Sequence, residues 1–311
     1  MSLFKVIAVA VAFVCSIRVA EAQRPEIWFA GSPFAADFNQ VADRPDLWAT
    51  AATNIVAFSV PSTFVMRGKS DDVKKLLLVL RAKNLPLAVG LPIVTTDKHV
   101  CGDGVEGMIW PGEAGLVARR LKDLGADVGF FSFDLPLTAG HIMKKPSACR
   151  FSIRETAQRV VRSVRELRAA YPNARFNDAE VPTGMPASQW IPILTEWLDA
   201  FTQATGERLY GFGMDVWWES PWMDTMKQSI GVLHAHGVRA GTFVDADAGN
   251  VPPADWIAAA KRNACLVRSL NPSVDFVAVA NWLNRGVRDL PESDPSTLTA
   301  LVNWYAAGPR C

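Results

Sequence analysis

From Glu26 onward one unit recurs about every 35 residues: a short run of β-branched or aromatic residues, a polar or proline-bearing loop, then an amphipathic helix. Such alternation restricts the chain to a parallel sheet flanked by helices, because parallel strands need a crossover between them. The expected strands are Glu26 to Gly31, Asn54 to Val60, Pro86 to Val94, Val128 to Asp134, Ala174 to Val181, Leu209 to Trp218, Val238 to Asp247 and Val274 to Trp282. Helical stripes stand between them. Val73, Leu76, Leu77 and Leu80 form one, and Trp190, Ile193, Leu194, Trp197, Leu198 and Phe201 form a wider one. Shorter or weaker helical patterns cover Asp46 to Thr53 and the segment after Pro253. Gly125, Gly206 and Gly237 each follow a helix and precede a strand, where a left-handed residue ends the helix. Eight units in fewer than 300 residues predict a closed (β/α)8 TIM barrel. An open dinucleotide-binding sheet would carry a glycine fingerprint after its first strand, and Gly31-Ser32-Pro33-Phe34 is not one.

Ahead of the barrel, Lys5, an apolar run from Val6 to Cys15 and the small-x-small triplet Ala20-Glu21-Ala22 read as a signal peptide over residues 1–22. The expected mature chain, 23–311, is one domain, because no linker or compositional break divides it. Losing Lys5, Arg18 and Glu21 would take the formal charge from +1 to zero. A neutral chain without a basic run gives no reason to expect nucleic acid or, after cleavage, a membrane surface as partner. Four cysteines then remain, suggesting two disulfides in an exported protein. Neighbouring units favour Cys101 with Cys149 and Cys265 with Cys311. No two cysteines stand at zinc-ligand spacing and the four His are scattered, so no metal or other cofactor is expected.

Barrel enzymes place their chemistry at the C-terminal ends of the strands. Reading those positions gives Asp134 on the fourth strand, Asp178 and Glu180 on the fifth, Asp215 on the sixth, and Asp245 and Asp247 on the seventh. Asp178 and Glu180 lie in ARFNDAEVP, Ala174 to Pro182. Two residues apart on a strand, they share a face roughly 6 to 7 Å apart. Asp134 leaves a run of aromatic and apolar residues, where burial shifts a carboxyl's pKa. Trp110, Trp217, Trp218 and Trp282 fall near the same rim and offer flat apolar faces of the kind sugar rings pack on. His141, in the fourth loop, is a further candidate substrate contact. The other three His gave no such reason.

The signal, the barrel, the row of strand-end acids and the rim tryptophans resemble the (β/α)8 glycoside hydrolases as a broad group, at the level of fold and without a family-defining motif. Within that resemblance, Asp134, Glu180 and Asp245 or Asp247 stand where alpha-amylase-like barrels place nucleophile, acid and stabilising Asp. Asp134 and Asp215 stand where alpha-galactosidase-like barrels place their two Asp. The clan with Glu at strands four and seven does not match, both positions being Asp. The resemblance implies a secreted or periplasmic glycosidase acting on a neutral poly- or oligosaccharide, with Asp134 and Glu180 as the acid/base pair and Asp178 and Asp215 in support. Two alternatives stand beside it: a carbohydrate-binding barrel without catalysis, and a metal-assisted hydrolase with Asp178, Asp215 and Asp245 as oxygen ligands.

Overall fold

The structure is a computed structural model; it describes residues 24–311 apart from 34, 97–99, 183, 247–251, 282–285 and 309–310. The expected signal segment, Asp247 and Trp282 therefore lie outside the described residues. Eight parallel strands close into a barrel: β1 (Glu26–Ala30), β2 (Ala57–Pro61), β3 (Leu87–Leu91), β4 (Val128–Asp134), β5 (Arg175–Glu180), β6 (Gly211–Met214), β7 (Arg239–Val244) and β8 (Phe276–Ala280). β1 closes the ring by pairing with β8, Glu26 against Phe276 through Ala30 against Ala280.

Around the ring run α1 (Ala49–Asn54), α2 (Ser70–Ala82), α3 (Glu113–Asp123), α4 (Ile153–Ala170), α5 (Ala187–Thr205), α6 (Met223–Ala235), α7 (Pro253–Arg268) and α8 (Leu298–Ala306). Their apolar stripes meet the outward face of the sheet. Val73, Leu76, Leu77 and Leu80 of α2 are buried, as are Trp190, Leu194, Trp197, Leu198 and Phe201 of α5. Helix ends follow local chemistry: the Ser152 hydroxyl accepts from the Glu155 N–H at 3.1 Å to start α4, and Gly206 ends α5 at φ 74°.

Several strands are shorter than the sequence suggests. β3 stops at Leu91, and Val94–Thr95 instead pairs with Met108–Ile109 in a separate two-stranded ribbon above the barrel. β6 stops at Met214, so Asp215 stands just beyond it. A 3₁₀ turn at Pro45–Trp48 leads into α1 where one short helix was expected.

Inside the barrel large and small side chains alternate, as filling a tapering ring requires. Trp28 packs on Phe130 and Phe276 at 4.5 and 5.5 Å between ring centroids, beside Ala57, Ala88 and Ala278. A Cβ on Gly241 would sit 2.1 Å from the Phe276 ring, so this position admits no side chain without displacing the ring. At the N-terminal end Arg239 donates to Glu26 Oε2 at 2.8 Å, and Arg175 lies 4.4 Å over the Tyr210 ring. These residues lie at the starts of their strands, leaving the C-terminal ends as the place for a mouth.

Two disulfides join neighbouring units. Cys101 bonds Cys149, with Cα atoms 5.0 Å apart, linking the β3–α3 and β4–α4 connections; Cys265 in α7 bonds Cys311, at 5.4 Å. No helix among the described residues is long and apolar enough to cross a membrane.

Candidate active site

Which way each acid points follows from strand register. Trp28, Ala57, Ala88, Phe130 and Phe276 fill the interior, so Ser132 and Asp134, two and four residues after Phe130, also face inward. Asp134 pairs in register with Ala179, and its other-parity neighbours on β5, Asp178 and Glu180, face outward.

Burial shows where the barrel opens. Near the C-terminal ends of β2 to β5 the inward residues Ser59, Pro61, Gly90, Ser132, Asp134 and Ala179 are half-exposed, whereas the outward Val60, Val89, Phe133, Asp178 and Glu180 are buried. A sheet whose inner face is more exposed than its outer face at one end opens to solvent at that end. Asp134 lies on that surface, and desolvation, followed by the charges of Glu106 and Asp215, raises its pKa from 3.8 to about 7. Asp215 and Asp245 stand just past β6 and β7, each half-exposed. The Asp215 N–H donates to the Glu180 carbonyl at 2.8 Å, and Asp245 Oδ1 accepts from Trp218 Nε1 at 2.8 Å.

The fifth-strand pair goes elsewhere. Asp178 is 1% exposed, and its Oδ2 accepts from Trp197 Nε1 of α5 at 2.7 Å; burial again pushes its pKa to about 7. Glu180 is fully buried and accepts from the Leu137 N–H, from the Thr138 N–H at 3.0 Å and from the Thr138 hydroxyl at 2.6 Å. Burial and the adjacent Asp178 hold its pKa well above the usual range, against the pull of those donors. The expected meeting of Glu180 and Asp134 across the rim is thus corrected: they leave opposite faces of the sheet. For the same reason Asp178 does not join Asp215 and Asp245, and among the described residues no three His, Cys, Asp or Glu side chains are placed to hold a metal ion.

Glu180 nevertheless shapes the end of β4. Its carboxylate holds Leu137 and Thr138, while Leu135 between them and Asp134 adopts φ 50° and donates its N–H to the Ala179 carbonyl at 2.9 Å. A left-handed leucine costs about 1–3 kcal/mol and persists only where its surroundings enforce it. The Glu180 clamp is one such constraint, and the strain sits beside Asp134.

The aromatic residues divide similarly. Trp217 is 56% exposed, with its ring 3.7 Å from where a Cβ on Gly184 would stand; Trp110 and Trp218 are half-buried. Trp222 is core, edge-on to Trp218 at 5.2 Å. His141 lies in a π-helical turn, Thr138–Ile142, and its Nδ1–H donates to the Phe151 carbonyl at 2.7 Å, an anchoring contact for the loop. Glu106 went unnoticed in the sequence. It lies in the β3–α3 connection, and the visible signal was the glycine-rich run Gly102-Asp103-Gly104-Val105-Glu106-Gly107 after a bonded cysteine.

With this geometry the chain is similar to several solved barrels. A GH5_18 protein from Streptomyces cattleya, solved in complex with GlcNAc, superposes with a TM-score of 0.56 at 12% identity, over 93% of this chain and 82% of that one. GH10 from Paenibacillus barcinonensis gives 0.50 at 12% identity over 83% of each chain. D-psicose 3-epimerase from Clostridium cellulolyticum, solved with D-tagatose, gives 0.48 at 12% identity over 90% of this chain and 96% of that one. At these identities the likeness establishes the TIM-barrel fold alone. No family model and no curated protein matches the sequence.

Proposed function

We propose that the chain is an exported glycoside hydrolase acting on a neutral poly- or oligosaccharide, with Asp134 as general acid and Asp215 as the second carboxylate. One observation carries this reading: an inward-facing, solvent-reached Asp134 whose pKa is raised to about 7. A carboxylic acid that keeps its proton near neutrality can protonate a glycosidic oxygen as the sugar departs. Asp215 stands just past the end of the next strand but one, and the two strand axes lie roughly 10 Å apart, a spacing at which inward carboxylates can flank a sugar ring. Asp215 would attack the anomeric carbon or deprotonate a water that does so. Trp217, Trp218 and Trp110 supply flat apolar surface, and Asp245 can take sugar hydroxyls. The barrel is shared with the GH5_18 and GH10 proteins, and the two disulfides suit a secreted or periplasmic protein.

A panel of neutral polysaccharides assayed for released reducing ends tests the proposal. Wild type should release them from at least one polymer, and Asp134→Asn and Asp215→Asn should each lose about 10²-fold or more with unchanged circular dichroism. Undiminished release by both variants would overturn the assignment. Binding of a polymer by wild type without any release would favour the non-catalytic barrel instead.

A further inference from the structure

The β3–α3 connection is held against the end of β4 from several directions. Cys101 is bonded to Cys149, the Gly102 N–H donates to the Ser147 carbonyl at 2.6 Å, and the Thr95 hydroxyl donates to the Arg159 carbonyl of α4 at 2.6 Å. Gly107, at φ 85°, presses its backbone onto β4: a Cβ there would lie 2.8 Å from the carbonyl oxygens of both Asp134 and Leu135 and 2.6 Å from the Ala139 Cβ. No side chain fits that contact. The residue before it, Glu106, is exposed, one residue from the backbone that packs on the Asp134 carbonyl.

We propose that Glu106 is a positioning residue of the site: its negative charge, fixed over the mouth by the disulfide-braced connection, holds the proton on Asp134. The inference rests on the reading of Asp134 as the acid. The charged groups acting on Asp134 among the described residues are Glu106 and Asp215, and Asp178 interacts with it through the sheet from the helix side. Asp178 and Asp215 are held by strand register and a backbone hydrogen bond within the barrel. Glu106 alone of the three depends on a connection that a disulfide braces, so loosening that connection should release its hold on Asp134 and leave the other two in place. His141 is tethered to the Phe151 carbonyl, and the barrel-facing residues nearest Asp134 on the adjoining strands, Ala179 in register with it on β5 and Gly90 in register with Ser132 on β3, carry no charge.

The test follows the Asp134 carboxyl directly by carbon NMR across pH 4 to 9, identified by its absence in Asp134→Asn. In Glu106→Gln the midpoint should fall by roughly half a unit or more, and in the Cys101→Ser/Cys149→Ser double variant it should fall in the same direction. Cys265→Ser/Cys311→Ser, far from the mouth, controls for loss of a disulfide as such and should leave it in place. The alkaline limb of kcat/KM should move with the midpoint, and Glu106→Asp should restore part of it. An Asp134 midpoint unchanged by Glu106→Gln would overturn the inference even if the enzyme is active. A midpoint that moves in a protein that cleaves no glycoside would leave the inference standing and sink the glycosidase reading.

Discussion

Asp134 and Asp178 lie on adjacent strands, both have pKa values pushed to about 7 by burial, and they face opposite ways. Asp134 opens onto the mouth of the barrel, whereas Asp178 is sealed under α5 by the Trp197 indole. A perturbed carboxyl is therefore no sufficient marker of a site in a barrel, where the interlayer between sheet and helices dehydrates a side chain as thoroughly as an active site does. What separates the two is parity along the strand. One residue of offset decides between mouth and helix.

Four substitutions sharpen or break that contrast. The largest effect belongs to Asp134→Asn, for which we expect a loss of about 10²–10⁴ in kcat together with a rise in thermal stability at pH 8, read by calorimetry. The stabilisation follows from linkage. The folded pKa of about 7 lies above the roughly 3.9 of an unfolded Asp, so the group favours folding below pH 4 and costs progressively more stability as pH rises to 7. An active Asp134→Asn would erase the distinction between inner and outer acids.

Glu180→Gln comes second. It sets an amide N–H₂ against either the Leu137 or the Thr138 donors, whichever the remaining oxygen does not serve, costing about 1–3 kcal/mol of stability and, by loosening the end of β4, about tenfold in kcat. Stability should fall with KM little changed; a loss of activity without any loss of stability would instead place Glu180 in the chemistry. Trp217→Ala removes an exposed ring, so KM should rise about threefold to tenfold for a polymeric substrate while the melting temperature stays put. An unchanged KM would remove the ring from the binding surface. Smallest in activity is Asp178→Asn, which keeps an acceptor for Trp197. Its kcat should stay close to wild type, its charge reaching Asp134 only through the sheet, and the stability that wild type loses between pH 4 and 7 through this group should no longer be lost. Impaired turnover by this variant would contradict the reading of Asp178 as sealed.

Much of the fold was legible because its signals are local. β4 runs from Val128 to Asp134 as the apolar run implied, and the α2 and α5 stripes meet the sheet because helical periodicity records which side is dry. The cysteine pairs lie as chain order favoured, since consecutive units of a barrel are neighbours. Strand ends were less visible: β6 stops at Met214 because pairing around a closed ring, rather than hydrophobicity, limits its length. Glu106 was invisible for a related reason. Its place beside Asp134 depends on a loop held by a distant cysteine and by the contact of Gly107 with β4.

Asp178 and Glu180 mark the boundary between the two kinds of information. The sequence by itself determined that they share a face, because side chains alternate with a period of two. It could not determine which face. A parallel barrel strand is buried on both sides, so its inward and outward positions are alike in hydrophobicity and carry no amphipathic record of orientation. Only the closed register, with Asp134 opposite Ala179, turned Asp134 to the mouth and both fifth-strand acids toward the helices.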